Sequence, residues 1–280
     1  MKDGEGAMAG EVLLDKRDDR IAVLSLNRPQ ALNAIDMALI RALREAVRDV
    51  EADDAIDLLI MTGAGAKAFS VGVDLKERQK LSDRQAHAFR MGELFPMYRE
   101  LEQKTKPAIA LVRGHCLGGG FEIALCCDMI LATPDATFAL PEVKWGLIPA
   151  AGGCRKLPKL IGMARAKELI LTARTVTAAD AERLGIVNRV VAAKNGMHEA
   201  LELARAVLAN TQAAVRGAKR CLDHDSDWDG EKTAPFDIKI ANLCFAATDR
   251  NQGVSNFTAR KRPRSQITSN RSKIIKRDRF

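Results

Sequence analysis

The sequence predicts an α/β fold. Three apolar segments of strand character, LLIMTGAG at 58–65, AIALVRG at 108–114 and DMILATP at 128–134, each lead through a turn into a helical pattern. Strands that alternate with helices pair in parallel through right-handed crossovers. The chain has 280 residues, 47% of them hydrophobic, which supports one large core with or without an appendage. A stacked spiral of β-β-α turns and a doubly wound sheet both satisfy this pattern, because no internal repeat singles out the spiral.

Taken in order, residues 11–15 and 21–26 are β-rich and flank the charged run Lys16-Arg17-Asp18-Asp19-Arg20, the pattern of a hairpin. Arg28-Pro29 interrupts the chain. Asp36 then stands where it would cap a helix with Leu39, Ile40, Leu43, Ala46, Val47 and Val50 on one face. A buried strand is expected at 57–62, a charged helical stretch from Leu75 and an apolar helix at 121–127. Beyond about residue 164 the pattern turns helical, at 164–171, 177–184, 196–209, 211–222 and 229–247, with only 187–191 strand-like. The shift divides the chain into a core at 1–200, a helical region at 201–263 and a basic tail at 264–280. Helices whose apolar stripes find no room on the same sheet pack on another copy, so the helical region is expected to mediate oligomerisation.

The formal charge is +8, but residues 261–280 hold eight Lys and Arg against one Asp, leaving 36 basic and 35 acidic residues in the rest. The basicity therefore belongs to a tail of disorder-type composition, and a nucleic-acid partner is not the main expectation. No run of 18 uncharged apolar residues occurs and residues 1–10 lack a leader pattern, so a cytoplasmic protein without a membrane partner is expected. Six cysteines show neither C-x-x-C nor metal-ligand spacing with histidine. They are expected to be reduced, with no disulfide framework and no metal site.

Three stretches carry chemistry. Phe69-Ser70-Val71-Gly72-Val73-Asp74-Leu75-Lys76-Glu77 follows a strand and opens a helix, where free backbone N–H groups bind oxyanions; an ordinary turn capped by Asp74 explains it equally. Gly114-His115-Cys116-Leu117-Gly118-Gly119-Gly120-Phe121-Glu122 places three glycines before an apolar helix. That triplet lets backbone approach a ligand or a neighbouring segment closely, and it is neither a P-loop nor a dinucleotide fingerprint. Leu140-Pro141-Glu142-Val143-Lys144-Trp145-Gly146-Leu147-Ile148-Pro149, then Ala150-Ala151-Gly152-Gly153, sets a lone carboxylate in apolar surroundings. Glu122 is similarly bracketed. Burial raises a carboxylate's pKa and fits it for proton transfer near neutrality, although an isolated buried glutamate is more often an ion-pair member.

Together these stretches resemble the crotonase (enoyl-CoA hydratase/isomerase) superfamily over nearly the whole chain. Asn27-Arg28-Pro29-Gln30-Ala31-Leu32-Asn33-Ala34 is similar to its N-R-P-x-x-L-N-A segment, and Phe69 to Glu77 to its F-x-A-G-A-D-L-K-E. Gly118 to Glu122 and Pro141-Glu142 resemble its two glutamate motifs, and Asp249-Arg250-Asn251-Gln252-Gly253 through Phe257 to Pro263 resembles its closing segment. Residues 74–78 and 161–170 are most similar to the methylglutaconyl-CoA hydratase branch.

The resemblance implies the spiral fold with a C-terminal helical trimerisation region, and a hydratase that adds water across the double bond of a 2-enoyl-CoA. Glu122 and Glu142 would be catalytic, Glu122 activating the water and Glu142 delivering the proton. Val73 and Gly119 would form the oxyanion hole. Arg28, Ala31, Val71, Asp74, Leu75, Lys76, Leu117, Gly118 and Pro141 would bind coenzyme A and substrate, with Phe257 and Arg260 reaching the coenzyme A of an adjacent subunit. No cofactor is implied beyond the coenzyme A of the substrate. The partners implied are an acyl-CoA and further copies, in a homotrimer or a hexamer of two trimers. Met91, Leu94 and Phe95 are candidates for the acyl wall. Two other readings stand beside this one: an isomerase or other lyase of the superfamily, and an RNA-binding protein. The latter draws on Lys76, Lys80 and Arg84, spaced for one helical face, and on a member of the same branch that binds RNA through a lysine-bearing helix.

Overall fold

The computed structural model describes residues 10–224. β1 (Val12–Lys16) and β2 (Ile21–Leu26) form the expected antiparallel hairpin. α1 (Met37–Ala52) follows, and Asp36 caps it by accepting from Leu39 N–H at 2.8 Å. Leu39, Ile40, Leu43, Val47 and Val50 are buried, as their spacing requires. The strand expected at 57–62 begins one residue later, at Leu58, and the buried Asp57 before it pairs with Arg20 and Arg216.

From here each turn of the chain places one strand in a large sheet and the next in a small one. β3 (Leu58–Gly63) is followed by β4 (Ala68–Ser70), β5 (Ala108–Val112) by β6 (His115–Leu117), and β7 (Met129–Ala132) by β8 (Thr137–Ala139). The helices between them are α2 (Leu75–Arg78), α3 (Asp83–Phe89) and α4 (Phe95–Glu102) in the first turn, with a π-helical turn at Arg90–Leu94, and α5 (Gly119–Ala124) in the second. After β8 come a 3-10 turn at Glu142–Trp145, α6 (Gly153–Ile161), α7 (Met163–Thr172), β9 (Val176–Thr177), α8 (Ala178–Leu184), β10 (Arg189–Val190), α9 (Gly196–Leu208) and α10 (Gln212–His224). The large sheet has the order β1-β2-β3-β5-β7-β10 and the small one β4-β6-β8-β9. β2, β3, β5, β7 and β10 run parallel, as do β4, β6 and β8. This is the spiral of β-β-α turns, and it rules out the doubly wound sheet.

The unbroken apolar character of the strands follows from burial on both faces. Alternate residues Ile21, Leu58, Ile60, Ile109, Leu111 and Leu131 face α9, which packs Ala200 and Ala204 against them. Their neighbours Leu24, Leu59, Met61, Ala110 and Val112 face the interior shared with α1, α4, α5 and the small sheet.

α9 spans the boundary expected near residue 200 and lays Ala200 and Ala204 on the large sheet. One expectation is corrected. Lys76, Lys80 and Arg84 do not share a helical face: α2 ends at Arg78, and Ser82 starts α3 afresh through a capping box with Gln85. The expected helix at 229–247, Phe257, Arg260, the closing motif and the basic tail lie outside the described residues. Among the described residues no helix is long and apolar enough to cross a membrane.

Candidate active site

The small sheet brings two turns together. β4 and β6 pair in parallel, with Ala68 opposite His115 and Ser70 opposite Cys116, so residues 71–74 and 118–120 leave the sheet side by side. Gly72 has φ of 86°, and a Cβ there would stand 2.9 Å from Gly119 N and 3.0 Å from the Leu117 carbonyl oxygen. Only glycine permits both that backbone conformation and that approach.

Backbone hydrogen bonds fix the first turn. Val71 N–H donates to Leu32 O, Gly72 N–H to Ser70 Oγ and Asp74 N–H to Ile35 O. Val73 N–H is the one donor of residues 71–74 with no acceptor among the described residues. On the second turn Gly118 N–H donates to Ala139 O at 2.8 Å, and Gly119 N–H, the first of α5, likewise has none there. Val73 N–H and Gly119 N–H, one on each of the adjoining turns, are therefore both left unspent.

Both glutamates face the same space. Glu122, on α5, is 4% exposed, and its Oε1 accepts from Gly153 N–H at 2.9 Å. Burial pushes its pKa up to about 7, and the Glu142 carboxylate adds to this against the pull of the Gly153 and Ala151 N–H groups. Glu142 opens the 3-10 turn. Burial raises its pKa too, and its Oε2 is buried without a hydrogen-bond partner. Gly118, at φ 52°, makes room for it, since a Cβ there would lie 2.9 Å from Glu142 Oε1.

These groups line a cavity of about 170 Å³ that also exposes Leu94, Phe95, Tyr98, Leu147 and Ile148. A larger cavity of about 670 Å³, bordered by Lys156 and Lys219, contains neither glutamate and neither free N–H. Cys154 is exposed at the surface, and partial desolvation of its sulfur, then Glu122 and Glu142, raise its thiol pKa, which disfavours a nucleophilic thiolate. Among the described residues no cluster of His, Cys, Asp or Glu could hold a metal ion.

Of the residues expected here, Val71, Val73, Leu75, Gly118, Gly119 and Pro141 line the cavity with the two glutamates. Leu117 instead turns its carbonyl toward Gly72, and Ala31 ends a 3-10 turn away from the cavity. Lys76 is exposed on α2. Arg28 is committed within the chain, pairing with Glu11 at 3.1 Å, Asp36 at 2.9 Å and Asp74 at 3.4 Å and donating to Ala34 O at 2.6 Å. Asp74 caps α2. Burial acts against its charge, but hydrogen bonds from Glu77 N–H, Lys76 N–H and Arg28 hold its pKa below the usual value. Leu94 and Phe95 are wall residues, whereas Met91 is 55% exposed and outside the cavity.

Sequence reasoning missed Arg78, Arg90 and Tyr98. Both arginines line the cavity without an ion-pair partner among the described residues, and Arg90 Nε is buried and unbonded. Tyr98 is 3% exposed and donates from its hydroxyl to Gly119 O at 2.8 Å. Its being the single tyrosine of the chain was the available signal.

A family model described as enoyl-CoA hydratase/isomerase matches residues 16–266. The chain is 36% identical over 256 residues to a crotonyl-CoA hydratase of Syntrophomonas wolfei, covering 91% of this chain and 98% of that protein. It is 34% identical to a short-chain-enoyl-CoA hydratase of Clostridium acetobutylicum, covering 90% and 95%. The crystal structure of an enoyl-CoA hydratase from Bacillus anthracis matches it with a TM-score of 0.85 at 33% identity, over 89% of this chain and 96% of that one.

Proposed function

The chain belongs to the enoyl-CoA hydratase/isomerase family, and we propose that it adds water across the double bond of a 2-enoyl-CoA thioester. The observation that carries this reading is the pair of half-spent carboxylates, Glu122 and Glu142, in one cavity with two unspent backbone donors. The thioester oxygen lies between Val73 N–H and Gly119 N–H, which stabilise the charge that grows on it as water attacks. Glu122, held by Gly153 N–H and poised near neutrality, takes a proton from the water as its oxygen bonds to Cβ. Glu142, raised by burial, delivers its own proton to Cα. An isomerase needs only one carboxylate to shuttle a proton, so the second carboxylate favours hydration.

The test is loss of the conjugated thioester absorbance with crotonyl-CoA. Glu122→Gln and Glu142→Gln should each lower kcat by about 10²–10⁴-fold. A large loss in one variant alone would point to an isomerase or another lyase, and no turnover of any enoyl-CoA by the wild type would end the hydratase reading.

The finer placement, in the methylglutaconyl-CoA hydratase branch, belongs to the same proposal. Support comes from Arg78 and Arg90, cations in the cavity wall with no carboxylate partner among the described residues. A guanidinium so placed suits an acyl group that ends in a carboxylate. Arg90→Gln should therefore reduce kcat/KM for 3-methylglutaconyl-CoA at least tenfold more than for crotonyl-CoA; equal losses would refute it. A homotrimer, or a hexamer of two trimers, is proposed as the assembly, supported by the exposure of Leu160, Met163, Leu171 and Leu222.

A further inference from the structure

The three glycines 118–120 leave the second turn without side chains to hold it, yet one of the two oxyanion donors belongs to it. Gly118 is fixed by its own N–H on Ala139 O. Gly120 is pressed against Ser70, whose carbonyl oxygen would lie 2.3 Å from an added Cβ. Gly119, the residue whose N–H faces the substrate, receives one side-chain hydrogen bond, from the Tyr98 hydroxyl to its carbonyl oxygen at 2.8 Å. The contact is close: a Cβ on Gly119 would stand 2.5 Å from that hydroxyl.

Helical geometry gives the contact a direction. In a residue that opens a helix, the carbonyl points toward the C-terminal end and the N–H toward the N-terminal end. The Gly119 N–H shares a peptide unit with the Gly118 carbonyl, which accepts from Glu122 N–H at 3.0 Å, and the Tyr98 bond fixes the peptide unit on the other side of the Gly119 Cα, so the two together hold this side-chain-free residue and the direction of its N–H. Tyr98 is itself well supported, since α4 buries Met97 and Leu101 in the core and α1 braces it through Arg44, which pairs with Glu100 at 2.8 Å.

We infer that Tyr98 is a positioning residue for hydration, its hydroxyl holding Gly119 so that the oxyanion donor is aligned before substrate arrives. Burial first, and then the Glu122 carboxylate, hold its phenol well above the ordinary value, so it remains a donor across the working pH range. The hydroxyl hydrogen is directed at the Gly119 carbonyl oxygen, which leaves the acid and base roles to Glu142 and Glu122.

The inference rests on the hydratase reading, and Tyr98→Phe in the full-length protein tests it. With crotonyl-CoA, kcat should fall about ten- to hundredfold while KM changes less than about threefold. The second readout is the red shift of an aryl-conjugated enoyl-CoA on binding, which reports polarisation of the thioester carbonyl and should shrink in the variant. Lowered kcat with an undiminished red shift, or neither effect, would overturn the inference. Should Tyr98→Phe fail to fold, the single tyrosine allows 3-fluorotyrosine to be incorporated at that site alone. The red shift and the pH profile of kcat should then match the wild type, and a profile displaced with the phenol's acidity would assign proton transfer to Tyr98 and overturn positioning. A wild type that turns over no crotonyl-CoA would count against the hydratase reading, whereas the red-shift comparison still decides the role of Tyr98.

Discussion

Glu122 is held against the preference of a buried carboxylate. Its folded pKa of about 7 lies above the ordinary 4.5, so between these values the folded protein binds more protons than the unfolded chain. Stability must then fall as pH rises through that window, by an amount on the order of 3 kcal/mol once both states are ionised. Glu122→Gln removes this dependence. Thermal melts should show the wild type losing stability relative to Glu122→Gln from pH 5 to pH 8, and parallel curves would contradict the assigned environment. The two glutamates could be read from the sequence because each stands alone in an apolar run, which is a local property. Arg90 could not, and Tyr98 offered only its being the single tyrosine, because what they face depends on how α4 and the turn before it lie against α5. The three carboxylate partners of Arg28 were illegible for the same reason, since the fold brings them to it.

Among the elements, α1 was the most legible, since its cap and its apolar spacing agree. Asp36 caps Leu39 N–H and also pairs with Arg28, so Asp36→Ala should cost roughly 1–2 kcal/mol. Urea unfolding would measure it, and a loss below a few tenths would show the cap to be idle. The segment after Leu75 was less legible. Its charges fit one long helix, but Ser82 and Gln85 satisfy each other's backbone and restart the helix, so proximity in sequence did not become a shared face. The π-helical turn left no signal at all, because residue composition does not distinguish it from an α-helix.

Across the whole molecule, parallel α/β organisation was evident, but the spiral was not. The feature that repeats is a step between sheets, made through short loops of unlike sequence, and such a repeat is geometric. The change to helical sequence begins near residue 164, and α9, the helix that crosses residue 200, covers the outer face of the large sheet, with Ala200 and Ala204 allowing its close approach.

The π-helical turn Arg90–Leu94 holds one residue more than an α-helix would need for the same rise. Gly92, within it, has open space where a Cβ would stand. Losing that residue would restore α-helical winding and turn the adjoining α3 by about 100° relative to α4, carrying Arg90 off the cavity while Leu94 and Tyr98 keep their places. On the proposed reading, acyl preference in this enzyme is recorded partly as chain length, so the gain or loss of one codon could change which thioester it accepts without exchanging any residue that touches the reacting atoms.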